Sequence, residues 1–175
     1  IGTINIGAGR SLKLPTNTIT TVGTFNVAGV PRGGVRLPGV SGSYLSTPDS
    51  AAVSVTGDID IRVRVAMASW ATANQVLHGK WSNALGGGYI LGTDATANRI
   101  FFNVYGSGGS YSPSTAAHAF GAGVAGWIRA TFRASDGRIQ FFTAADSSTM
   151  PSSWTQLGTD VAQSQRSILD TATVL

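Results

Sequence analysis

The sequence contains no cysteine, no glutamate and only two lysines, Lys13 and Lys80. The lack of cysteine excludes disulfide bonds, thiolate metal sites and a cysteine nucleophile. Glutamate and lysine usually populate exposed helix faces, so their scarcity argues against a helical protein. No stretch approaches the roughly 18 uninterrupted apolar residues of a membrane span, and no basic-then-apolar signal peptide opens the chain. We therefore expect no membrane partner.

Charge is sparse as well, at 11% of the 175 residues, although the net charge is +4. The ten arginines are spread singly, without a run or a basic stripe, so the local field for phosphates is weak. We therefore expect no nucleic-acid partner. Glycine, threonine, serine and valine are abundant instead, and this bias is typical of an all-β protein.

The stretch TGDIDIRVRVAMASW, residues 56–70, has an apolar residue at every second position. Asp60, Arg62 and Arg64 stand between the apolar residues, so they fall on the opposite face. This spacing predicts a β-strand with one buried side, and cross-strand pairing is the simplest use of its charges. Turn residues separate further short strand patterns, so the sequence predicts a two-sheet antiparallel sandwich. These patterns lie at 75–82, 89–94, 99–106, 126–133 and 138–145.

Residues 1–40 differ from the rest of the chain. Short alternating pieces are followed by GVPRGGVRLPGVSGS, a run rich in glycine and proline that cannot form a helix or a regular central strand. We interpret this part as a small N-terminal β arm and linker. Residues 41–175 then form the main domain.

Two motifs that resemble catalytic signatures have simpler structural interpretations. Residues 121–126, GAGVAG, match the G-x-G-x-x-G spacing of dinucleotide sites, but a strand pattern follows where a helix is required. The two histidines, His78 and His118, are 40 residues apart in sequence and belong to no zinc or nucleophile motif. We expect both to be ordinary surface or half-buried side chains. We therefore expect a protein that is not an enzyme.

Aromatic residues and turn carboxylates are the candidate ligand-binding groups. Tyr105 and Tyr111 bracket the GSGGS loop and are the best candidates for an exposed recognition surface. By contrast, Trp81 and Trp127 adjoin strand patterns, so we expect them to be buried against the opposing sheet. Turns also contain candidate ligand residues, and no cofactor is predicted apart from a calcium ion that such turns could hold. These residues are Asp94 and Asn98.

Three stretches carry a resemblance to a known family: TGDIDIRVRVAMASW, QVLHGKWS with GGGYILGTDATANRIFFNVYG, and GWIRATFRASDGRIQFFTAAD. They contain Leu77, Lys80 and Trp81, and later Trp127 and the turn Asp136-Gly137. In this pattern the chain resembles the laminin-G-like, concanavalin A-like jelly-roll domain, in versions found in minor tail and other virion proteins of actinobacterial phages. The resemblance covers residues 41–175. Family members usually continue beyond the position of the final TATVL, which predicts a domain that is incomplete at its C-terminus or completed by a partner chain.

The resemblance implies a location in the virion and two alternative roles. The first is a non-enzymatic minor tail or fibre component, displayed for adhesion to a glycan or host surface. The second is a purely structural decoration of the capsid or tail, which contacts other virion proteins through the N-terminal arm. Both roles imply a homo-oligomer. The catalytic glutamates of related glucanases are absent, and this absence argues against that activity.

Overall fold

A computed structural model of the chain describes residues 35–37, 42–71, 74–82, 86–94, 97–106 and 112–170. The chain divides into two compact units, Ile1–Pro48 and Asp49–Leu175. Most of the predicted arm lies outside the described residues, and the described part of the first unit contains no helix or strand. No helix among the described residues is long and apolar enough to cross a membrane.

The regular secondary structure described in the second unit is almost entirely antiparallel strand. A short 3-10 helix, Ala51–Val53, precedes the first strand. The part of the chain that the structure describes forms eight strands. The bounds of the six longer strands confirm the strand patterns of the sequence to within a few residues. The strands are β1 (Ile59–Ala66), β2 (Gln75–Ser82), β3 (Gly87–Asp94), β4 (Arg99–Tyr105), β5 (Ala125–Arg133), β6 (Arg138–Ala145), β7 (Thr155–Gln156) and β8 (Val161–Ala162).

The strands form two sheets. Sheet A has the order β1-β5-β6-β7, and β8 also pairs with β6. Sheet B has the order β2-β3-β4. Residues 112–114 extend sheet B beside β4, because the Phe102 amide donates to Ser112 and the Ser114 amide donates to Ile100. The all-β, two-sheet antiparallel arrangement predicted from the sequence is therefore confirmed.

The core lies between the two sheets and follows the period-two alternation of the strands. In β5, Ile128, Ala130 and Phe132 are buried, while the intervening residues face outward. The same cluster takes in Leu91 and Phe102 from sheet B, both at 0% exposure. Burial of these apolar faces supplies the main stabilisation of the domain.

Loops that contain glycine connect strands at positions where the sequence predicted turns or loops. The G-x-G-x-x-G run enters β5 directly, as expected, and its Gly123 has a φ of +73°. The Gly123 amide donates to the Met67 carbonyl at 2.7 Å, which holds the loop against the end of the first strand. Gly137 has a φ of +66° in the hairpin between β5 and β6, where a left-handed residue is needed.

A buried lysine ties two loop segments to sheet B. The side chain of Lys80 in β2 is 2% exposed, and its Nζ lies 2.7 Å from Asp49 Oδ1 and 2.6 Å from Asp170 Oδ1. Nζ also donates to Ser54 Oγ at 3.3 Å. Desolvation lowers the pKa of Lys80, but hydrogen bonds and charge attraction from Asp170 and Asp49 outweigh it and raise the pKa overall. The ammonium group therefore stays charged under its loop cover.

Candidate functional site

The outer face of sheet A carries a row of large side chains that crosses four strands. Arg62 of β1 lies opposite Arg129 of β5. The row continues through Phe142 of β6 to Gln156 of β7. These residues alternate with core residues along each strand, so their side chains point away from sheet B. The side of β1 opposite its apolar residues is therefore part of a larger surface that three further strands build.

Asp60 joins the two arginines of this row. Its carboxylate accepts hydrogen bonds from Arg129 Nε at 3.0 Å and Nη2 at 2.9 Å. It also accepts hydrogen bonds from Arg62 Nε at 3.1 Å and Nη2 at 2.5 Å. Partial burial raises the pKa of Asp60, but the two guanidinium groups outweigh this effect and lower the pKa overall. One ionised carboxylate thus orients two guanidinium planes, and the expected cross-strand role of Asp60 is confirmed.

Aromatic rings surround the guanidinium of Arg129. Its Cζ lies 5.0 Å from the centre of the Phe142 ring and 5.8 Å from the Trp154 ring. Trp127 meets Trp154 edge to face at 6.4 Å, and its Nε1 donates to the Ser147 carbonyl at 3.2 Å. Cation–π attraction and ring packing therefore restrain both the rings and the guanidinium.

An open depression of about 370 Å³ lies on the same face next to this cluster. Thr131 lies between Asp60 and Gln140 in the strand register, and its small side chain leaves the space open. The volume is within the range of small-ligand sites, roughly 300–1,000 Å³. The polar residues around the depression are Asp58, Asp60, Thr131, Arg133, Arg138 and Gln140.

The other arginines of this face are also paired with aspartates. Arg64 Nε donates to Asp146 at 2.6 Å. Arg138 Nη1 donates to Asp160 at 3.0 Å, and Arg133 pairs with Asp136. Hydrogen bonding and charge attraction from Arg133 lower the pKa of Asp136 to about 2. Arginines that are scattered along the sequence are thus collected on one surface, where aspartates neutralise most of their charge.

The residues that the sequence nominated as ligand-binding candidates lie at different places in the fold. Asp94 lies opposite Arg99 in the strand register, at the turn between β3 and β4. Asn98 lies in that turn with a φ of +49°. Tyr105 ends β4 at the opposite end of sheet B, about 20 Å along the strand. Tyr111 lies outside the described residues. The described members therefore do not form one site.

Tyr105 instead belongs to a small aromatic pair on the outer face of sheet B. Trp81 and Tyr105 flank Gly88 across the strands, and their ring centres are 5.9 Å apart. Asn103 Nδ2 donates to the Tyr105 hydroxyl at 3.1 Å. This pair is a second aromatic surface, smaller than the one on sheet A and without an arginine in the contacts described.

The expectation that Trp81 and Trp127 are buried between the sheets is wrong. Trp81 is 37% exposed, and Trp127 is half-buried on the outer face of sheet A. The alternation GWIRATFR contained the signal, because Ile128 and Phe132 mark the core face and Trp127 has the opposite parity. Packing against neighbours on the same outer face, such as Trp154, explains why a strand tryptophan need not enter the core.

The two histidines pack against aromatic side chains of the second unit. His118 is 6% exposed, more buried than expected, and its ring centre lies 4.5 Å from that of Trp70. His78 Nε2 lies 3.4 Å from the Tyr89 hydroxyl. Burial lowers the pKa of both histidines. Among the residues with a described placement, no group of three or more His, Cys, Asp or Glu is arranged to hold a metal ion.

Comparisons of the chain with models of protein families, with curated proteins and with solved structures find no match. The resemblance to laminin-G-like domains therefore rests on the strand patterns and residues quoted from the sequence. The candidate site rests independently on the geometry of sheet A.

Proposed function

We propose that the protein is a non-enzymatic adhesion module that binds a saccharide on the outer face of sheet A. The observation that carries this proposal is the arrangement of Arg129, which Asp60 holds beside the rings of Phe142 and Trp154. Sugars present apolar C–H faces that pack on aromatic rings and hydroxyl groups that pair with fixed donors and acceptors. Both kinds of group lie next to a depression of suitable size.

The identity of the fold and the biological setting form the second part of the proposal. Pairing of β1 with β5, across the intervening strands of sheet B, supports a concanavalin A-like jelly roll. The resemblance alone supports display on a phage particle through the N-terminal residues. In that setting the saccharide would belong to a host surface.

Glycan-array binding of the full chain, followed by titration of the best glycan, tests the proposal. Trp154→Ala removes a ring from the outer face of sheet A, and Trp81→Ala removes an exposed ring from sheet B as the matched control. We expect Trp154→Ala to weaken binding about tenfold, equivalent to about 1.4 kcal/mol, and Trp81→Ala to leave it unchanged. The reverse pattern would move the site to the Trp81–Tyr105 pair. Absence of glycan binding by the folded chain would reject adhesion and favour the decoration role.

A further inference from the structure

The cluster of Arg62, Asp60 and Arg129 contains two cations and one anion, whereas the other arginine pairs of this face are one to one. The cluster therefore carries one unit of positive charge that no aspartate in direct contact cancels. This surplus lies beside the aromatic rings. Asp58, the remaining carboxylate of the depression, instead accepts a hydrogen bond from the Ala134 amide at 2.7 Å and lies close to Arg133.

Within the described ranges, Arg129 is the arginine of this cluster whose whole Nη1 group makes no hydrogen bond to the protein. Arg62 uses Nε and Nη2 on Asp60, and its Nη1 contacts Met150 Sδ at 3.0 Å. Among the described residues, Arg129 donates only to Asp60, through Nε and Nη2. A guanidinium has five N–H donors in a fixed plane, so the Nη1 side of Arg129 keeps donors that the protein does not use.

We propose that the saccharide is acidic and that its carboxylate binds the Nη1 side of Arg129, while its ring packs against Trp154. This inference rests on the proposed function and specifies the class of saccharide that binds. A planar carboxylate matches the fork of a guanidinium, as Asp60 already shows on the other side of the same group. The side chain of Arg129 is 25% exposed, so the ligand reaches it without unfolding the sheet. The bound carboxylate would balance the surplus charge of the cluster.

Titration of the full chain with a matched pair of polymers tests this inference. The pair is polygalacturonate and the same polymer after chemical reduction of its carboxyl groups. We expect the uronate polymer to bind at least tenfold more tightly than the reduced polymer, and this difference to shrink as salt rises. Arg129→Gln should remove the preference, and Arg129→Lys should restore it only in part, because lysine keeps the charge without the fork. Arg64→Gln, on the same face but paired with Asp146 and outside the lining of the depression, is the control and should retain the preference.

Each of the other outcomes contradicts a specific part of the proposal. Equal binding of the two polymers would overturn the acidic ligand and leave saccharide binding intact. A preference for a sulfated polymer that contains no uronate would overturn the assignment of a carboxylate as the bound group. A preference for oligothymidylate would overturn the assignment of a saccharide as the ligand. Failure to bind any glycan, in either this titration or the array, would overturn the proposed function itself. Circular dichroism of Arg129→Gln and Arg129→Lys verifies that loss of binding is not loss of fold.

Discussion

Replacement of the two carboxylates around Lys80 tests how the loop segments are fastened to sheet B. In the double variant Asp49→Asn/Asp170→Asn, the ammonium stays under its cover but loses both neighbouring anions. Neutral amide oxygens and Ser54 Oγ remain as acceptors, so the ammonium is hydrogen-bonded but no longer charge-paired. We expect this variant to be clearly destabilised, because a buried charge without a counter-ion is costly.

The expected magnitude follows from the exposure of the three side chains. Lys80 is 2% exposed, whereas the carboxylates of Asp49 and Asp170 are 33% and 38% exposed. Breaking a deeply buried pair costs about 3–5 kcal/mol, and contact of these carboxylates with water reduces that cost. We expect a loss of about 2 kcal/mol, a shift of roughly 4–8 °C in Tm for a chain of this size. Urea and thermal unfolding followed by circular dichroism measure both quantities.

Lys80→Met gives the decisive comparison. Methionine keeps most of the apolar stem, and the two carboxylates regain hydration because each is already about one-third exposed. We therefore expect Lys80→Met to cost less than the double aspartate variant, about 1 kcal/mol or below. Asp146→Asn, which breaks the surface pair with Arg64, should change stability by about 0.5 kcal/mol or less. If Lys80→Met proved the most destabilising of the three, the reasoning from buried charge would be refuted.

Two further predictions concern the histidines and the glycines of the second unit. Because burial lowers the pKa of His78 and His118 in the folded state, the unfolded state binds more protons below about pH 6.5, and stability falls there. Urea unfolding between pH 5 and 7.5 should show this loss, and replacing both histidines with glutamine should flatten the profile; a flat wild-type profile would contradict the assignment. Gly88→Ala should cost about 3 kcal/mol or prevent folding, since Gly88 has a φ of +110° and an added Cβ would meet the Lys80 carbonyl. Gly57→Ala, with nothing within 4 Å of the added atom, is the matched control and should keep the wild-type Tm.

The alternation of apolar and polar residues was sufficient to predict the longer strands, because adjacent residues of a strand point to opposite faces of the sheet. The apolar positions of residues 56–70 were predicted to face the core, and Ile61 and Met67 among them are buried. In β5 the alternation GWIRATFR likewise matches the buried Ile128 and Phe132. The same parity placed Trp127 on the outer face, yet the general preference of tryptophan for the interior led to the opposite expectation. Local pattern is the stronger guide here, since one reversed side chain would require reversal of the whole strand.

The candidate site could not be predicted from the sequence, because it depends on pairing between distant strands. Arg62 and Arg129 are 67 positions apart in sequence and meet only through the register of β1 and β5. The positions of the arginines in the sequence therefore did not establish that they share one surface. Tyr105 and Asp94 lie at opposite ends of one hairpin.

The absence of glutamate gives this surface a further property. Every carboxylate on the outer face of sheet A is an aspartate, whose short side chain keeps its oxygens close to the strand backbone. A guanidinium that pairs with such a carboxylate is drawn down against the sheet, as Arg129 is between Asp60 and Phe142. Aspartate also loses less rotamer entropy than glutamate when it is fixed. The pairing therefore holds the arginine donors in place, and this order would lower the entropy cost of the saccharide binding that we propose.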